Sequence, residues 1–240
     1  MIIGYDSAKH GMGMGMRKYV MTASYDMNFS KYHTEEIVVE YDNIVEPVNS
    51  LLRKCLDHFY GLYKVVPKNV ILYRSGVSDG EKDSIMKNEV SSIMGLFSGN
   101  PNQECYKTGC EIKLCFVIAN KRCESKFFEY SNGNVNNPKE GTVVDTQVTG
   151  PGLYEFYLQP QFVNMGTATP THFHCLYDTT GVPLEILENI TYRMCYYYWN
   201  WSGAIREPAC LKFAEVANKF SSTYLNKEVS DKLKNYPYYI

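Results

Sequence analysis

The sequence predicts one mixed α/β domain over residues 1–240. Three observations predict it. Short apolar or alternating runs suited to strands recur along the chain: IIGY, KYVMTASY, TEEIVVEY, NVILY and LCFVIA. Stretches with helical spacing lie among them. Nothing between these segments has the composition of an interdomain linker, and no internal repeat is present.

The chain opens on a strand, IIGY, that ends at Asp6. The GMGMGM segment at 11–16 reads as a loop. KYVMTASY (18–25) and TEEIVVEY (34–41) alternate enough to be strands. From Ile44 to Tyr63 the spacing is helical. Ile44, Val48, Leu51, Leu52, Cys55, Leu56, Phe59 and Tyr60 form one apolar stripe. Asn43 precedes it as an N-cap, and Pro47 is tolerated in the first turn. Pro67 marks the turn into a buried strand at Val70–Tyr73. A polar turn follows, then a helix over 78–97 capped by Ser78. Residues 99–109 read as a loop. EIKLCFVIANKR and CESKFFEY read as two strands around a basic turn, Lys121–Arg122. The segment 131–141 is turn-rich and expected to be mobile. Short strands follow at TVVDT, LYEFYLQ and HFHCLYD. Two helices close the chain, over 184–199 and 208–225, with a short third before YPYYI.

Composition excludes several classes. A net charge of −2 gives no global basic footprint. A nucleic-acid binder of this composition works through a local patch, and its salt dependence comes from that patch. The 21 tyrosines mostly fit strand and core positions. Cys105, Cys110, Cys115 and Cys123 do not have the spacing of the usual zinc pairs, and Cys115 sits inside an apolar run. Free cysteines without a framework suit a reducing compartment. The N-terminus has an early charge and no long apolar region, so it does not read as a signal peptide. No segment approaches the ~20 apolar residues of a membrane span. The expected location is intracellular, cytoplasmic or nuclear, with no membrane partner.

The chemistry-bearing residues are mainly acids at strand ends and helix starts: Asp6, Asp42, Asp79, Glu81, Asp145, Asp178 and Glu215. Two-metal nucleases need converging carboxylates, because Mg²⁺ prefers hard oxygen ligands and both metals touch the scissile phosphate. Asp6 fits best, since it ends the first strand; the plain alternative is a turn aspartate. His172 and His174 alternate on a strand and face one side. They read as a hydrogen-bonded pair more readily than as metal ligands, because no third ligand is evident. Lys212 and Lys219 share a helix face, with Glu215 between them. There is no P-loop, no dinucleotide-binding glycine fingerprint and no nucleophile elbow.

Several motifs together carry a family resemblance. GTVVDTQVT, YEFYLQPQFVNMGTATPTHFHCLYD and LENITYRMCYYYWNWSGAIREPA resemble the PIWI domain of Argonaute/Piwi proteins. IGYDSAKH, ILYRSGVSDGE and IANKR match the same family in order, and YYWNWSGAIREPA is closer to its Piwi branch. The resemblance runs from Ile2 to the C-terminus. It implies an RNase H-like fold, with a central mixed β-sheet flanked by helices. It implies a domain that holds a small guide RNA against a complementary target RNA.

Active members cut the target with an Asp–Glu–Asp–His/Asp set and two divalent metals, Mg²⁺ or Mn²⁺. By the resemblance, the first aspartate is Asp6. The glutamate falls on or beside Asn43, with Asp42 or Glu46 as stand-ins. The second aspartate belongs in YRDG, which here reads YRSG, so Ser75 replaces it. The last position carries Glu215. Two neutral side chains in a set of four leave a weak metal site, centred on Asp6. Guide contacts are implied at Lys121 and Arg122, with Lys126 nearby, at Arg206, and at the C-terminal carboxylate on Ile240. Such phosphate contacts position a strand without reading its sequence.

Family members carry N-terminal, PAZ and MID domains ahead of this one. The expectation is either an excised piece or a chain that works with a MID-containing partner and silencing-complex proteins. The leading functional expectation is a cleavage-deficient guide-RNA scaffold in RNA-mediated gene silencing. The alternatives are a divergent slicer using Asp6, Glu215 and a substitute such as Asp42 or Asp79, and a degenerate interaction fragment with no RNA role.

Overall fold

The computed structural model describes residues 1–9, 15–40, 45–98, 111–150, 154–225 and 228–240. Most of GMGMGM, Asp42, Asn43, Ile44, the 99–109 segment, Cys105 and Cys110 lie outside the described residues. Eight strands form one mixed sheet in the order β3-β2-β1-β4-β5-β10-β9-β8. They are β1 (Ile2–Lys9), β2 (Met16–Ser24), β3 (Tyr32–Glu40), β4 (Asn69–Ser75), β5 (Lys113–Asn120), β8 (Thr142–Val144), β9 (Glu155–Gln159) and β10 (Thr171–Asp178). The neighbours β1–β4 and β4–β5 are parallel, and every other pair is antiparallel.

The central strands are apolar on both faces, as strands covered by helices on both sides must be. Alternate residues feed two cores. Ile2, Ile71, Tyr73, Cys115, Val117 and Phe173 pack under α4 (Leu184–Met194) and α5 (Ala209–Tyr224). Ile3, Tyr5, Leu72, Leu114 and Phe116 pack under α1 (Val45–Tyr63), α2 (Lys82–Ile85) and α3 (Ser91–Phe97). The α1 stripe buries Val48, Leu51, Leu52, Cys55 and Leu56. At Gly4 a Cβ would lie 2.2 Å from the Cys210 carbonyl oxygen, so only glycine lets α5 sit this close to β1.

The structure corrects several boundaries. The strand at the N-terminus runs three residues beyond Asp6. The helix expected over 78–97 is present and continuous over 79–97, but its hydrogen-bond pattern changes along its length. It is a 3₁₀ turn (Asp79–Glu81), α2, a π turn (Met86–Val90) and α3. Ser78 does close its start: the Ser78 backbone N–H and hydroxyl both donate to Glu81 Oε2, at 2.9 and 2.7 Å.

CESKFFEY is not a long sheet strand. Its side chains are exposed or half-exposed, and Phe128 and Tyr130 stand open to solvent. Only its end pairs: β6 (Glu129–Ser131) forms a separate hairpin with β7 (Asn134–Asn136), which lies in the segment expected to be mobile. Asn132 (φ 51°) and Gly133 (φ 79°) form its two-residue turn, which favours these residues because both φ angles are positive.

α4 ends at Met194 because the aromatic run beyond it turns back, with Ile205 N–H donating to Cys195 O at 2.9 Å and Trp199 packing on Phe213. The short third helix is instead a run of turns over 231–236. This C-terminal segment docks on β3: Thr34 N–H donates to Lys234 O at 2.8 Å, and His33 Nδ1 meets Asn235 Oδ1 at 2.7 Å. Among the described residues no helix is long and apolar enough to cross a membrane.

Glu188 on α4 is buried, with Oε1 lacking a partner. Burial first, then Asp145 and Glu185, push its carboxyl from 4.5 up to about 7. The unfolded chain loses this proton near 4.5, whereas the folded chain keeps it to about 7. Folding stability therefore falls as pH rises through that window. Glu188→Gln is expected to remove the slope and to stabilise the fold at pH 8 by about 1–2 kcal/mol, after allowing for solvent screening. Urea melts at pH 4.5 and pH 8 measure it; an equal effect at both would refute the titration.

Candidate functional site

The carboxyl ends of β1, β4 and β5 lie side by side, the place where open α/β sheets gather chemistry. Tyr5 pairs with Arg74, so Asp6 and Ser75 are the next residues on neighbouring strands. Ser75 in turn pairs with Ala119 on β5, two residues before Lys121. At Gly76 a Cβ would come within 3.0 Å of the Ala119 carbonyl oxygen, which keeps the turn after Ser75 tight against β5. α5 crosses these ends. It brings Asn218 over β1 and Glu215, one turn earlier, over the end of β5.

Each family position in the described residues is held by a protein donor. Asp6 is buried, and Asn218 Nδ2 donates to its Oδ2 at 2.8 Å. Ser75 Oγ accepts from an Arg74 guanidinium nitrogen at 2.9 Å. Glu215 accepts from the Lys121 ammonium and lies 3.4 Å from that of Lys212. Burial acts to raise the Glu215 carboxyl, but these two ammoniums outweigh it and hold the group below its ordinary value. Asn43 falls outside the described residues.

A pair of divalent metals needs carboxylate oxygens free to coordinate. Here one Asp6 oxygen faces an amide, both Glu215 oxygens face ammonium groups and Ser75 offers a neutral hydroxyl, so this donor set does not fit the pair. Among the described residues no group of three or more His, Cys, Asp or Glu side chains is placed to hold a metal. The substitutes proposed from the sequence do not converge either: Asp79 is exposed and paired with Lys82 at 2.8 Å, and Asp42 is outside the described residues.

The basic residues sit around the same strand ends. Lys121 follows β5, and its ammonium bonds Glu207 at 2.8 Å as well as Glu215. Arg122 is exposed, its backbone N–H tied to Asn120 Oδ1 at 3.0 Å. Lys126 is exposed and donates to Thr169 Oγ1. Arg206 is half-buried; one guanidinium nitrogen donates to Lys121 O at 2.6 Å, and Arg206 O accepts from Thr171 Oγ1 at 2.6 Å. Lys121, Arg206 and Glu215 are thus brought into one network. Ile240 is half-exposed at the chain end, its N–H on Pro237 O at 3.1 Å.

Sequence reasoning missed four residues of this centre. Arg74 and Glu89 form a buried ion pair (3.2 Å) that supports Ser75 from behind, with the guanidinium 4.9 Å from the centre of the Tyr5 ring. Glu89 lay four residues from Ile85 and from Ile93, an acid on an apolar stripe, and that was its signal. Asn218 and Glu207 carried none beyond a polar residue beside small ones and an acid before a proline. His172 and His174 do face one side, and both meet Glu155 Oε2, at 3.2 and 3.1 Å. The partner comes from β9 through strand register, which spacing along β10 does not reveal.

The family model described as "Piwi domain" matches residues 1–226. The chain is 31% identical over 245 aligned positions to Piwi-like protein 1 of Danio rerio, covering 100% of the chain and 27% of that protein. It is 27% identical over 241 positions to Protein argonaute-3 of Drosophila melanogaster, covering 100% of the chain and 26% of that protein. The chain therefore spans about a quarter of the length of these relatives. Among solved structures, Drosophila Piwi matches with a TM-score of 0.87 at 27% identity, over 100% of this chain and 32% of that one. Kluyveromyces polysporus Argonaute with a guide RNA matches with a TM-score of 0.85 at 21% identity, over 100% of this chain and 32% of that one, a likeness of fold.

Proposed function

The chain belongs to the Piwi domain family, and on that premise we propose that it holds a guide RNA against a target without cutting it, as a scaffold in RNA-mediated gene silencing. One observation carries the loss of cutting. Ser75 stands where the family's second aspartate belongs, and its hydroxyl is bonded by Arg74. A neutral hydroxyl cannot bridge two dications as a carboxylate does. Asn43 at the glutamate position removes a second charge.

Guide holding uses other groups. The exposed Arg122 and Lys126 offer phosphate contacts along the rim of the strand-end centre, with Arg206 beside them. Lys121 joins that set only by leaving Glu207 and Glu215. The C-terminal carboxylate at Ile240 is the proposed neighbour of the guide's 5′ end. A MID-containing chain or segment and silencing-complex proteins are the proposed partners. A guide-bearing Argonaute of the same fold makes this reading coherent.

The test is binding of a 5′-phosphorylated guide RNA, alone and paired with a complementary target, with a MID-containing segment of a relative supplied. Binding is expected to weaken with salt. Arg122→Ala/Lys126→Ala is expected to weaken it on every sequence and to flatten the salt dependence by about 1–2 in log–log slope. The paired target stays intact in Mg²⁺ or Mn²⁺. A cleavage product lost in Asp6→Ala would establish the divergent slicer instead. No RNA affinity in any arm would leave the interaction-fragment reading.

A further inference from the structure

We infer that Lys121 is the resident cation of the strand-end centre: its ammonium, held between Glu207 and Glu215, supplies the positive charge that a divalent metal would otherwise bring. The inference deepens the proposed loss of cutting and rests on that reading of the site. It goes beyond the loss of ligands at Ser75 and Asn43, because it concerns the carboxylates that remain.

The geometry is closed from several sides. The Glu207 side chain is 3% exposed, and a buried carboxylate requires a counter-charge. Lys121 meets it at 2.8 Å and also bonds Glu215. Lys212, one turn into α5, stands 3.6 Å from Glu207 and 3.4 Å from Glu215. Burial, then the Glu215 charge, push the Glu207 carboxyl up to about 7, so the two ammoniums at least balance the two acids. A dication placed between Glu207 and Glu215 would add two charges to this cluster and meet the Lys121 ammonium at contact distance.

Lys121 is also fixed at its backbone. Its carbonyl accepts from Arg206, whose own carbonyl accepts from Thr171 on β10. The root of the side chain is therefore held in place, and the ammonium swings aside only by giving up its bonds to Glu207 and Glu215. At the other end of the centre, the Asn218 amide closes Asp6. Glu207 and Glu215 are thus paired with ammoniums inside the protein, Asp6 accepts from a neutral amide, and the Lys121 ammonium is withdrawn from the RNA-facing set.

The test is a Mn²⁺ titration by calorimetry on the full 240-residue chain and on Lys121→Met, which keeps the length of the stem and removes the charge. The unmodified chain is expected to show no saturable binding. Lys121→Met is expected to gain about one equivalent, at least tenfold tighter than any residual binding by the unmodified chain, and to lose it again in Lys121→Met/Glu215→Gln. Saturable binding by the unmodified chain that Asp6→Ala removes overturns the inference. So does a folded Lys121→Met that gains no Mn²⁺.

If Lys121→Met is too unstable to titrate, its thermal midpoint is read against Mn²⁺. The midpoint is expected to rise with the metal while that of the unmodified chain stays level. An equal response in both chains overturns the inference. No RNA enters these measurements, so failure here and failure of guide binding are read separately.

Discussion

Gly4→Ala is expected to abolish cooperative folding, at a cost of about 4 kcal/mol or more. The added Cβ would lie 2.2 Å from the Cys210 oxygen, 2.3 Å from its carbonyl carbon and 2.4 Å from Leu211 N. All three are backbone atoms of the first turn of α5, so no side chain can rotate to make room. The same carbonyl accepts from Thr22 Oγ1 on β2 at 2.6 Å, which pins the helix against two strands at once. Relief requires lifting α5 off the sheet, and Phe213, Ala214 and Ala217 would lose their packing with it. Urea denaturation of the variant should show a broad or absent transition. A midpoint close to that of the unmodified chain would mean α5 sits farther out than described. Gly76→Ala, with its nearest approach at 3.0 Å, is the milder comparison.

Glu89→Ala is the second variant with a large expected effect, a loss of about 3–5 kcal/mol. Arg74 is buried, with Nε 3.2 Å from Glu89 Oε2 and a terminal nitrogen 3.4 Å from Oε1. Burial lowers the Arg74 pKa, but the Glu89 charge more than offsets this and keeps the guanidinium ionised. Without Glu89 a full charge stays inside the protein beside the Ser7 and Ser75 oxygens, the Tyr5 ring and the unbonded charge of Asp6, and it loses the carboxylate that bonded it. Replacing both partners, Arg74→Met with Glu89→Leu, is expected to cost far less, since no charge is stranded. Equal losses in the single and double variants, read from chemical denaturation, would show that packing and not charge dominates this site.

The architecture was legible where burial dictates residue type. β1, β4 and β5 are runs of Ile, Leu, Val and Phe that only a covered sheet accommodates, and the α1 stripe repeats at helical spacing. Legibility failed where partners were local or distant. CESKFFEY alternates like a strand, but no neighbour in the main sheet is available to it, and alternation alone does not supply one. The β6–β7 turn was announced by Asn132–Gly133, and general turn-richness concealed that signal.

At the site, the family motifs pointed to Asp6, Ser75, Lys121, Arg206 and Glu215, and all five lie at or over the ends of β1, β4, β5 and β10. What occupies their side chains could not be read from spacing. Asn218 reaches Asp6 across 212 positions, and Glu207 reaches Lys121 across 86.

Those long separations bear on how the protein is made. The first three strands pair with one another, but each also bonds a residue near the far end of the chain: Asp6 with Asn218, Thr22 with Cys210, and His33 with Asn235. On a ribosome adding ~5–20 residues per second, β1–β3 therefore wait on the order of 10–40 s before α5 emerges to cover them. During that interval their α5-facing apolar side stays open to water and to other nascent chains. Folding of so non-local a fold is slow even afterwards, because loop closure precedes the contacts that reward it. The close seat of α5 on Gly4 makes the mature protein firm, and the same seat leaves the growing chain dependent on protection until its last helix is out.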